Sequence, residues 1–216
     1  MRDSTNTPNE PGRVRLGRLR KRATAEMLAA IAEGRLPKDP GLRERFGTLP
    51  RAPIRLIAPK LAKDVNQGGL LRLAEAFRLE GVDFELTDTN ECDLRGAVGG
   101  KSWQPHRWIA PVEAIAEARE RGFRIVALSL EDGSVALERM GWTFPTALVV
   151  GCEDIGVPTE LRGLCDESVA IPMYGMVDSL NVSVSAGIVV HHIVSAYRKS
   201  HPEFVPAREA SLRLLE

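Results

Sequence analysis

The chain contains 216 residues, of which 44% are hydrophobic and 27% are charged. This composition is typical of a globular protein, and the length suits one domain with an extension rather than two full domains. No apolar run approaches the roughly 20 residues that a membrane span requires, and the first 22 residues lack the apolar stretch of a signal peptide. We therefore expect a soluble, cytoplasmic protein that does not associate with a membrane.

Charge is unevenly distributed along the chain, although the formal net charge is zero. Residues 1–22 contain seven basic side chains and two acidic ones, a net charge of +5, so the remainder carries −5. A basic arm on a mildly acidic body is typical of proteins that bind nucleic acid. A solubilising, disordered tail explains the arm equally well, and both interpretations stay open.

The spacing of cysteines and histidines indicates neither a disulfide framework nor a metal site. Cys92, Cys152 and Cys165 are odd in number and lack CxxC spacing, so we expect free, buried or half-buried thiols. His191 and His192 are adjacent on a predicted helix without a second ligand pair, which favours a structural role. We expect no metal cofactor.

The predicted elements divide the chain into an extension, one domain and a tail. Residues 1–50 form a basic extension, disordered over 1–12 and helical at 22–33 and 41–46, residues 51–200 form the domain, and residues 201–216 form the tail. Strands are predicted at 54–58, 82–86, 123–130, 147–150 and 168–171, and helices at 70–79, 111–121, 159–164 and 179–198. This alternation indicates an α/β fold, a mostly parallel sheet with helices on both faces.

The first of three candidate loops spans residues 66–72 (NQGGLLR). Gly68 and Gly69 are expected to form a tight turn that leaves backbone amides open to an anion at the start of a helix, with Arg72 about one turn further on. An ordinary glycine-rich turn between a strand and a helix is the commoner explanation. The GxGxxG pattern is absent, which argues against a dinucleotide-dependent oxidoreductase.

Two further loops follow apolar strands. Residues 151–158 (GCEDIGVP) place two carboxylates between glycines, which suits the positioning of a ligand, the capping of a helix or the binding of a nearby arginine. Residues 171–187 (IPMYGMVDSLNVSVSAG) lead into the last helix, where Ser179 and Asn181 are candidates both for capping and for ligand contacts. Each loop leaves a strand at its carboxyl end, where sheets of this kind bind ligands.

Together and in this order, the three loops resemble the three motifs of the SPOUT superfamily, and within it those of the TrmH-type tRNA/rRNA ribose methyltransferases. The resemblance covers residues 54–198 and is most specific in the third loop. It implies a C-terminal deep trefoil knot, which no argument from periodicity predicts. It also implies a homodimer that transfers a methyl group from S-adenosylmethionine to a ribose 2'-hydroxyl of RNA, with the last helix and the second loop at the interface. The small residues Ser183 and Gly187 are compatible with that interface.

The resemblance assigns roles to single residues. By position, the residues that would bind the cofactor are Leu128, Gly151, Ile171 and Leu180. Those that would serve catalysis are Arg72, Asn66, Glu153, Ser179 and Asn181. Arg72 matches the arginine implicated in activating the hydroxyl. Because free arginine has a pKa above about 12 and is a poor base, we expect it mainly to position the hydroxyl and the RNA phosphate.

Two features depart from the family pattern or add to it. Family members often have glycine where this chain has Arg78, a difference expected to affect packing rather than chemistry. Residues 96–108 (GAVGGKSWQPHRW) are rich in glycine and basic, and the corresponding loop of relatives lies near the RNA. Interleaved aromatic and basic side chains suit nucleotide stacking and phosphate contact. Packing of Trp103 and Trp108 onto the domain is the alternative, and we favour it for Trp108.

The N-terminal extension resembles that of enzymes that methylate guanosine 18 of tRNA, so tRNA is the expected substrate. An rRNA 2'-O-methyltransferase of the same family is one alternative, although such enzymes commonly carry a larger RNA-binding domain than 50 residues supply. A non-catalytic RNA-binding protein with the same fold is the other. The presence of Arg72 and of the polar third-loop residues argues against it, and a measurement of cofactor affinity separates the two.

Overall fold

The computed structural model describes residues 47–61, 64–86, 94–97, 100–152 and 155–206. All of these belong to one compact unit, Gly47–Glu216. The predicted helices at 22–33 and 41–46 lie outside the described residues, as do residues 207–216 of the predicted tail. Within the described ranges, no helix is long and apolar enough to cross a membrane.

The strands are β1 (Ala52–Ala58), β2 (Leu79–Phe84), β3 (His106–Trp108), β4 (Arg124–Leu128), β5 (Val135–Ala136), β6 (Thr146–Val149) and β7 (Glu167–Ala170). In the part of the chain that the structure describes, they form one sheet in the order β3-β2-β1-β6-β4-β7-β5. Every pairing between neighbours is parallel. The carboxyl ends of the strands therefore meet at one edge of the sheet, and the predicted mostly parallel sheet is confirmed.

The α-helices of the described residues are α1 (Asp64–Ala76), α2 (Pro111–Glu120), α3 (Thr159–Arg162) and α4 (Val182–Ser200). Strand side chains alternate between two cores. Ile54 and Leu56 of β1 pack in the core that contains α1 and α4, whereas Ile57 packs in the core that contains α2 and α3. Leu148 and Val149 of β6 divide in the same way. Because successive residues of a strand point to opposite faces, helices cover both faces of the sheet, as predicted.

The first helix begins earlier than the sequence pattern indicates. Asn66, Gly68 and Gly69 lie inside α1, so the prediction of a glycine-rich loop is wrong. In a helix that begins at residue 64, only the first four amides lack a helical partner, so the amides of the two glycines are not open to an anion. The glycines serve close packing instead. A Cβ on Gly68 would lie 2.9 Å from the Cα of Gly96, and one on Gly69 would lie 2.6 Å from the Oγ of Ser183.

Other element ends differ from the prediction by a few residues. β2 begins at Leu79 rather than at residue 82, because α1 already ends at Ala76. α4 begins at Val182 rather than at residue 179. Two strands are absent from the prediction: β3 lies within the glycine-rich stretch 96–108, and β5 has only two residues, too few for a periodic pattern.

Arg78 lies in the turn between α1 and β2 with φ +48°, in the left-handed region that favours glycine. Glycine adopts this conformation at little steric cost, which agrees with the glycine that the resemblance implies at this position. The Arg78 guanidinium lies 4.5 Å from the centre of the Phe204 ring and donates a 2.6 Å hydrogen bond to the Val205 carbonyl. The expected effect of Arg78 on packing is confirmed. Phe204 belongs to the core, although it lies within the predicted tail.

A buried carboxylate joins three neighbouring strands. Arg55 on β1 binds both oxygens of Asp83 on β2, at 3.0 Å from Nε and 2.6 Å from Nη2. Arg107 on β3 donates a further 2.6 Å bond to the same carboxylate. Burial alone would lower the pKa of Arg55, but hydrogen bonds and charge attraction from Asp83 and Glu80 outweigh this effect and raise it.

Candidate active site

A cavity of about 370 Å³, here called the strand-end cavity, opens at the carboxyl edge of the sheet. It lies at the ends of β6, β4 and β7, which are neighbours in the sheet. Leu128 ends β4, Gly151 follows β6, Ile171 follows β7 and Leu180 precedes α4, and all four line the cavity. Segments far apart in sequence converge there because parallel strands end at the same edge.

Ten further residues of the described ranges line the strand-end cavity without a site role predicted from the sequence, although seven of them lie within the second and third candidate loops. They are Ser129, Leu130, Glu131, Cys152, Ile155, Gly156, Met173, Asp178, Val182 and Ser185. Their position identifies them, since each lies in a segment that follows one of the three strands or in the first turn of α4. Apolar side chains form much of the wall, and the lining contains no Lys, Arg or His among the described residues.

The loop after β6 folds back on itself. Cys152 and Gly156 exchange two backbone hydrogen bonds, of 2.9 and 3.0 Å, and Gly156 has φ +67°. A Cβ on Gly151 would lie 2.7 Å from the carbonyl carbon of Gly156, so a side chain does not fit where the loop closes. Glu153, the predicted catalytic acid, lies outside the described residues, and its role stays a prediction.

The start of α4 is fixed against α1. Asn181 is the N-cap of α4, and its Oδ1 accepts hydrogen bonds from the amides of Ser183 at 2.9 Å and Val184 at 3.4 Å. The capping interpretation of Asn181 is therefore confirmed. Its Nδ2 also donates a 3.0 Å bond to Oδ1 of Asn66, and the Ser183 hydroxyl donates a 3.2 Å bond to the Asn66 carbonyl. Ser179, the other capping candidate, lines the strand-end cavity instead.

Two small residues of α4, Ser183 and Gly187, face α1. The Ser183 hydroxyl lies against Gly69, and a Cβ on Gly187 would lie 3.8 Å from Leu73 of α1. The compatibility of Ser183 and Gly187 with a dimer interface stays a prediction, since these contacts are made within one chain. Within one chain they already allow α1 and α4 to approach each other closely.

Arg72 is not brought to the strand-end cavity of its own chain. It is exposed on α1 and is absent from the described residues that line the cavity. From Asn66 it lies about 9 Å along the helix and roughly a third of a turn around it. Its backbone packs beside a short 3₁₀ turn, where a Cβ on Gly100 would lie 3.6 Å from the Arg72 Cα. The structure thus joins Asn66 to Asn181 at the cavity rim and leaves Arg72 further along the same helix.

Trp108 and His192, an aromatic and a histidine candidate, pack onto the domain. Trp108 stacks against Phe84 with ring centres 5.2 Å apart, which confirms the packing interpretation for this tryptophan. The Trp103 carbonyl accepts a 2.8 Å hydrogen bond from Arg51. His192 accepts a 2.8 Å bond from Nε1 of Trp142. Among the described residues, no group of three or more His, Cys, Asp or Glu side chains is placed to hold a metal ion.

Both described cysteines have free thiols, as predicted. Cys152 lines the strand-end cavity, and its Sγ lies 3.2 Å from the carbonyl of Gly156. Cys165 lies away from the cavity on the α3 side of the sheet. Burial raises the pKa of the Cys165 thiol to about 11, with a smaller contribution from the Asp166 carboxylate.

A parallel sheet flanked by helices, with a cavity at the ends of three adjacent strands, defines the class of α/β proteins that bind a small ligand at the strand termini. The family model described as the SpoU rRNA methylase family matches residues 53–191. The match covers well over half of the chain. The chain belongs to this family.

Relatives and solved structures agree with this assignment. The chain is similar to tRNA (guanosine(18)-2'-O)-methyltransferases of Aquifex aeolicus, with 44% identity over 92 residues, and of Escherichia coli, with 37% identity over 133 residues. These alignments cover 40% and 60% of the chain and 44% and 57% of the relatives, so the chain spans about half their length.

Two crystal structures have a similar fold. The A. aeolicus TrmH/SpoU tRNA modifying enzyme has a TM-score of 0.66 and 28% identity, covering 76% of this chain and 83% of that one. The SpoU methyltransferase AviRb from Streptomyces viridochromogenes, in complex with AdoMet, has a TM-score of 0.60 and 26% identity, covering 68% of this chain and 58% of that one.

Proposed function

We propose that the protein is an S-adenosylmethionine-dependent RNA methyltransferase that modifies a ribose 2'-hydroxyl of tRNA, in the manner of guanosine 18 enzymes. The observation that carries the proposal is the strand-end cavity, which gathers Leu128, Gly151, Ile171 and Leu180. Membership of the SpoU family supports methyl transfer to RNA. The names of two relatives support tRNA as the substrate, and the AdoMet complex of AviRb supports the cofactor.

The strand-end cavity suits this cofactor in size, surface and charge. Its volume of about 370 Å³ lies within the range of small-molecule sites, roughly 300–1,000 Å³. Leu128, Ile171 and Leu180 offer an apolar surface to an adenine ring, and Gly151 lines the cavity without a side chain of its own. Acidic lining side chains suit a positively charged ligand. When bound, S-adenosylmethionine supplies a methyl group whose bond to sulfur breaks as its bond to the ribose oxygen forms.

The remaining site residues would act on the RNA. We assign to Arg72 the positioning of the 2'-hydroxyl and the adjacent phosphate, with the hydroxyl proton passing to a phosphate oxygen or to water, since a guanidinium is a poor base. Asn66 and Asn181 would keep α1 and the cavity rim in register through their 3.0 Å hydrogen bond. Ser179 and Glu153 would contact the substrate from the third and second loops.

Two copies of the chain would complete the site. α4 exposes Val184 and Ile188 one helical turn apart, with 51% and 40% of their surface accessible. We propose a homodimer that pairs through this face and places Arg72 of one copy at the strand-end cavity of the other. The exposure of Arg72, outside the cavity of its own chain, supports this arrangement. The trefoil knot and an RNA-binding role for residues 1–50 are further parts of the proposal, supported by family membership and by the basic charge of residues 1–22.

Methyl transfer can be tested with the full chain, methyl-labelled cofactor and separate tRNA and rRNA fractions. We expect label in tRNA on one ribose, mapped as a 2'-O-methyl group, and none in rRNA. Arg72→Ala should lose methyl transfer and keep cofactor affinity, while the exposed Arg139→Ala serves as a matched control with full activity. An Arg72→Ala variant that still turns over contradicts the role of Arg72. A chain that binds RNA without any cofactor affinity is a binding protein rather than an enzyme.

The shared site can be tested by mixing inactive variants. Arg72→Ala removes the positioning cation, and Leu180→Arg fills the strand-end cavity. If each site combines two copies, a one-to-one mixture should recover about a quarter of the wild-type activity, because roughly half of the dimers are mixed and each has one intact site. A mixture as inactive as its components places Arg72 and the cavity of one site in the same chain.

A further inference from the structure

The charged side chains of the strand-end cavity are all acidic within the described residues. Glu131 lies in the loop after β4, and Asp178 lies in the loop before α4. A guanidinium balances the first of these, because Arg162 on α3 forms an ion pair with Glu131. Asp178 has no hydrogen bond or ion pair to any other residue that the structure describes. The uncompensated negative charge of the described lining is therefore concentrated at Asp178.

The uncompensated charge of Asp178 matters because the methyl donor and the product of the reaction differ by one charge. S-adenosylmethionine has a sulfonium centre with a positive charge, whereas S-adenosylhomocysteine has a neutral thioether and is otherwise the same molecule. Both retain the same ammonium and carboxylate groups. An apolar wall of similar shape for both ligands cannot separate them strongly, but a fixed charge can.

We propose that Asp178 makes the strand-end cavity prefer the charged donor over the neutral product, so that fresh donor competes more effectively with bound product. The inference rests on the proposed function, since it requires this cavity to be the cofactor site. Asp178 is exposed, so water screens its charge and the effect is moderate. For two charges several ångströms apart at such a position, we expect an effect on affinity of about threefold to tenfold.

The test is titration calorimetry of the full chain with each ligand separately. Asp178→Asn should weaken S-adenosylmethionine binding about threefold to tenfold and leave S-adenosylhomocysteine binding within about twofold. Asp132→Asn, the same chemical change at an exposed position outside the cavity, is the matched control and should alter neither affinity. Added salt should lower the ratio of S-adenosylmethionine affinity to S-adenosylhomocysteine affinity in the wild type. The same ratio should stay nearly constant in Asp178→Asn.

The outcomes distinguish a failure of the inference about Asp178 from a failure of the proposed function. Equal weakening of both ligands means that Asp178 binds their shared ammonium group, and it overturns the proposed preference. A ratio of the two affinities that is the same in Asp178→Asn as in the wild type also overturns the proposed preference. Unaltered S-adenosylhomocysteine affinity in Asp178→Asn shows that the variant is folded. If the wild type binds neither ligand, the cavity is not a cofactor site and the proposed function itself fails.

Discussion

Arg78 combines an unfavourable backbone conformation with two favourable side-chain contacts, and substitutions can separate them. A residue other than glycine at φ +48° costs about 1 kcal/mol. The contact of the guanidinium with the Phe204 ring contributes about 0.5–2 kcal/mol. The 2.6 Å hydrogen bond from this charged donor to the Val205 carbonyl contributes about 1.5–3 kcal/mol. The contacts therefore outweigh the backbone cost.

Arg78→Ala keeps the backbone cost and loses both contacts, so the free energy of unfolding should fall by about 2–5 kcal/mol. Arg78→Gly loses the same contacts but removes the backbone cost, so it should be more stable than Arg78→Ala by about 1 kcal/mol. Urea denaturation followed by tryptophan fluorescence measures both, with the slope m checked for constancy. The exposed Arg139→Ala is the control and should change stability by less than about 0.5 kcal/mol.

Two results would refute this reasoning. If Arg78→Ala is as stable as the wild type, the contacts with the segment after α4 contribute nothing. If Arg78→Gly is less stable than Arg78→Ala, the backbone at this turn is not strained by a side chain.

Three further predictions concern packing and the strand-end cavity. Asp83→Asn leaves two guanidinium groups without their shared carboxylate and should destabilise the fold by about 3–5 kcal/mol in the same urea assay. Gly68→Ala should also destabilise, although alanine favours helices by about 1 kcal/mol, because its Cβ would lie 2.9 Å from the Cα of Gly96. S-adenosylmethionine should slow alkylation of Cys152, which lines the cavity, and leave that of Cys165 unchanged, as peptide mass spectrometry can measure.

The alkylation experiment has a built-in pH control. Burial raises the pKa of Cys165 from 9.0 to about 11, so its thiol stays protonated near pH 8 and reacts slowly. The pKa of Cys165 is higher in the folded state than in the unfolded state. The contribution of its protonated thiol to the free energy of unfolding is therefore complete below about pH 9 and is lost as the pH rises towards 11. Fast alkylation of Cys165 at pH 8 would contradict its burial. Equal protection of both thiols by the cofactor would point to a global change in stability rather than to occupation of the cavity.

The sequence predicts the sheet better than the helix that begins the site. Buried parallel strands are mostly apolar runs, such as residues 147–150 and, apart from Arg55, residues 54–58. Their ends locate the strand-end cavity through a general rule of parallel sheets. Gly68 and Gly69 mislead because glycine indicates both tight turns and close helix packing. Only the partner surfaces, Gly96 and Ser183, distinguish the two cases.

Arg72 shows a second limit of sequence reasoning. Its identity follows from a motif, but its distance from the cavity of its own chain depends on where α1 begins and on the face that α1 turns to α4. The hydrogen bond between Asn66 and Asn181 joins residues 115 positions apart, so no local pattern predicts it. The motifs indicate which residues are candidates for the site, and contacts between distant segments determine which of these residues lie close together.

The junction of α1 and α4 has a mechanical consequence for the proposed reaction. Asn181 ends the loop that borders the strand-end cavity, and Asn66 lies in the first turn of α1, the helix that carries Arg72. Their hydrogen bond and the close approach of Gly69 to Ser183 make the cavity rim and the arginine helix one packed unit. A shift of the rim on ligand binding must therefore move α1 with it or break this contact. In the proposed dimer, cofactor binding in one copy would thus reposition the Arg72 that serves the other copy.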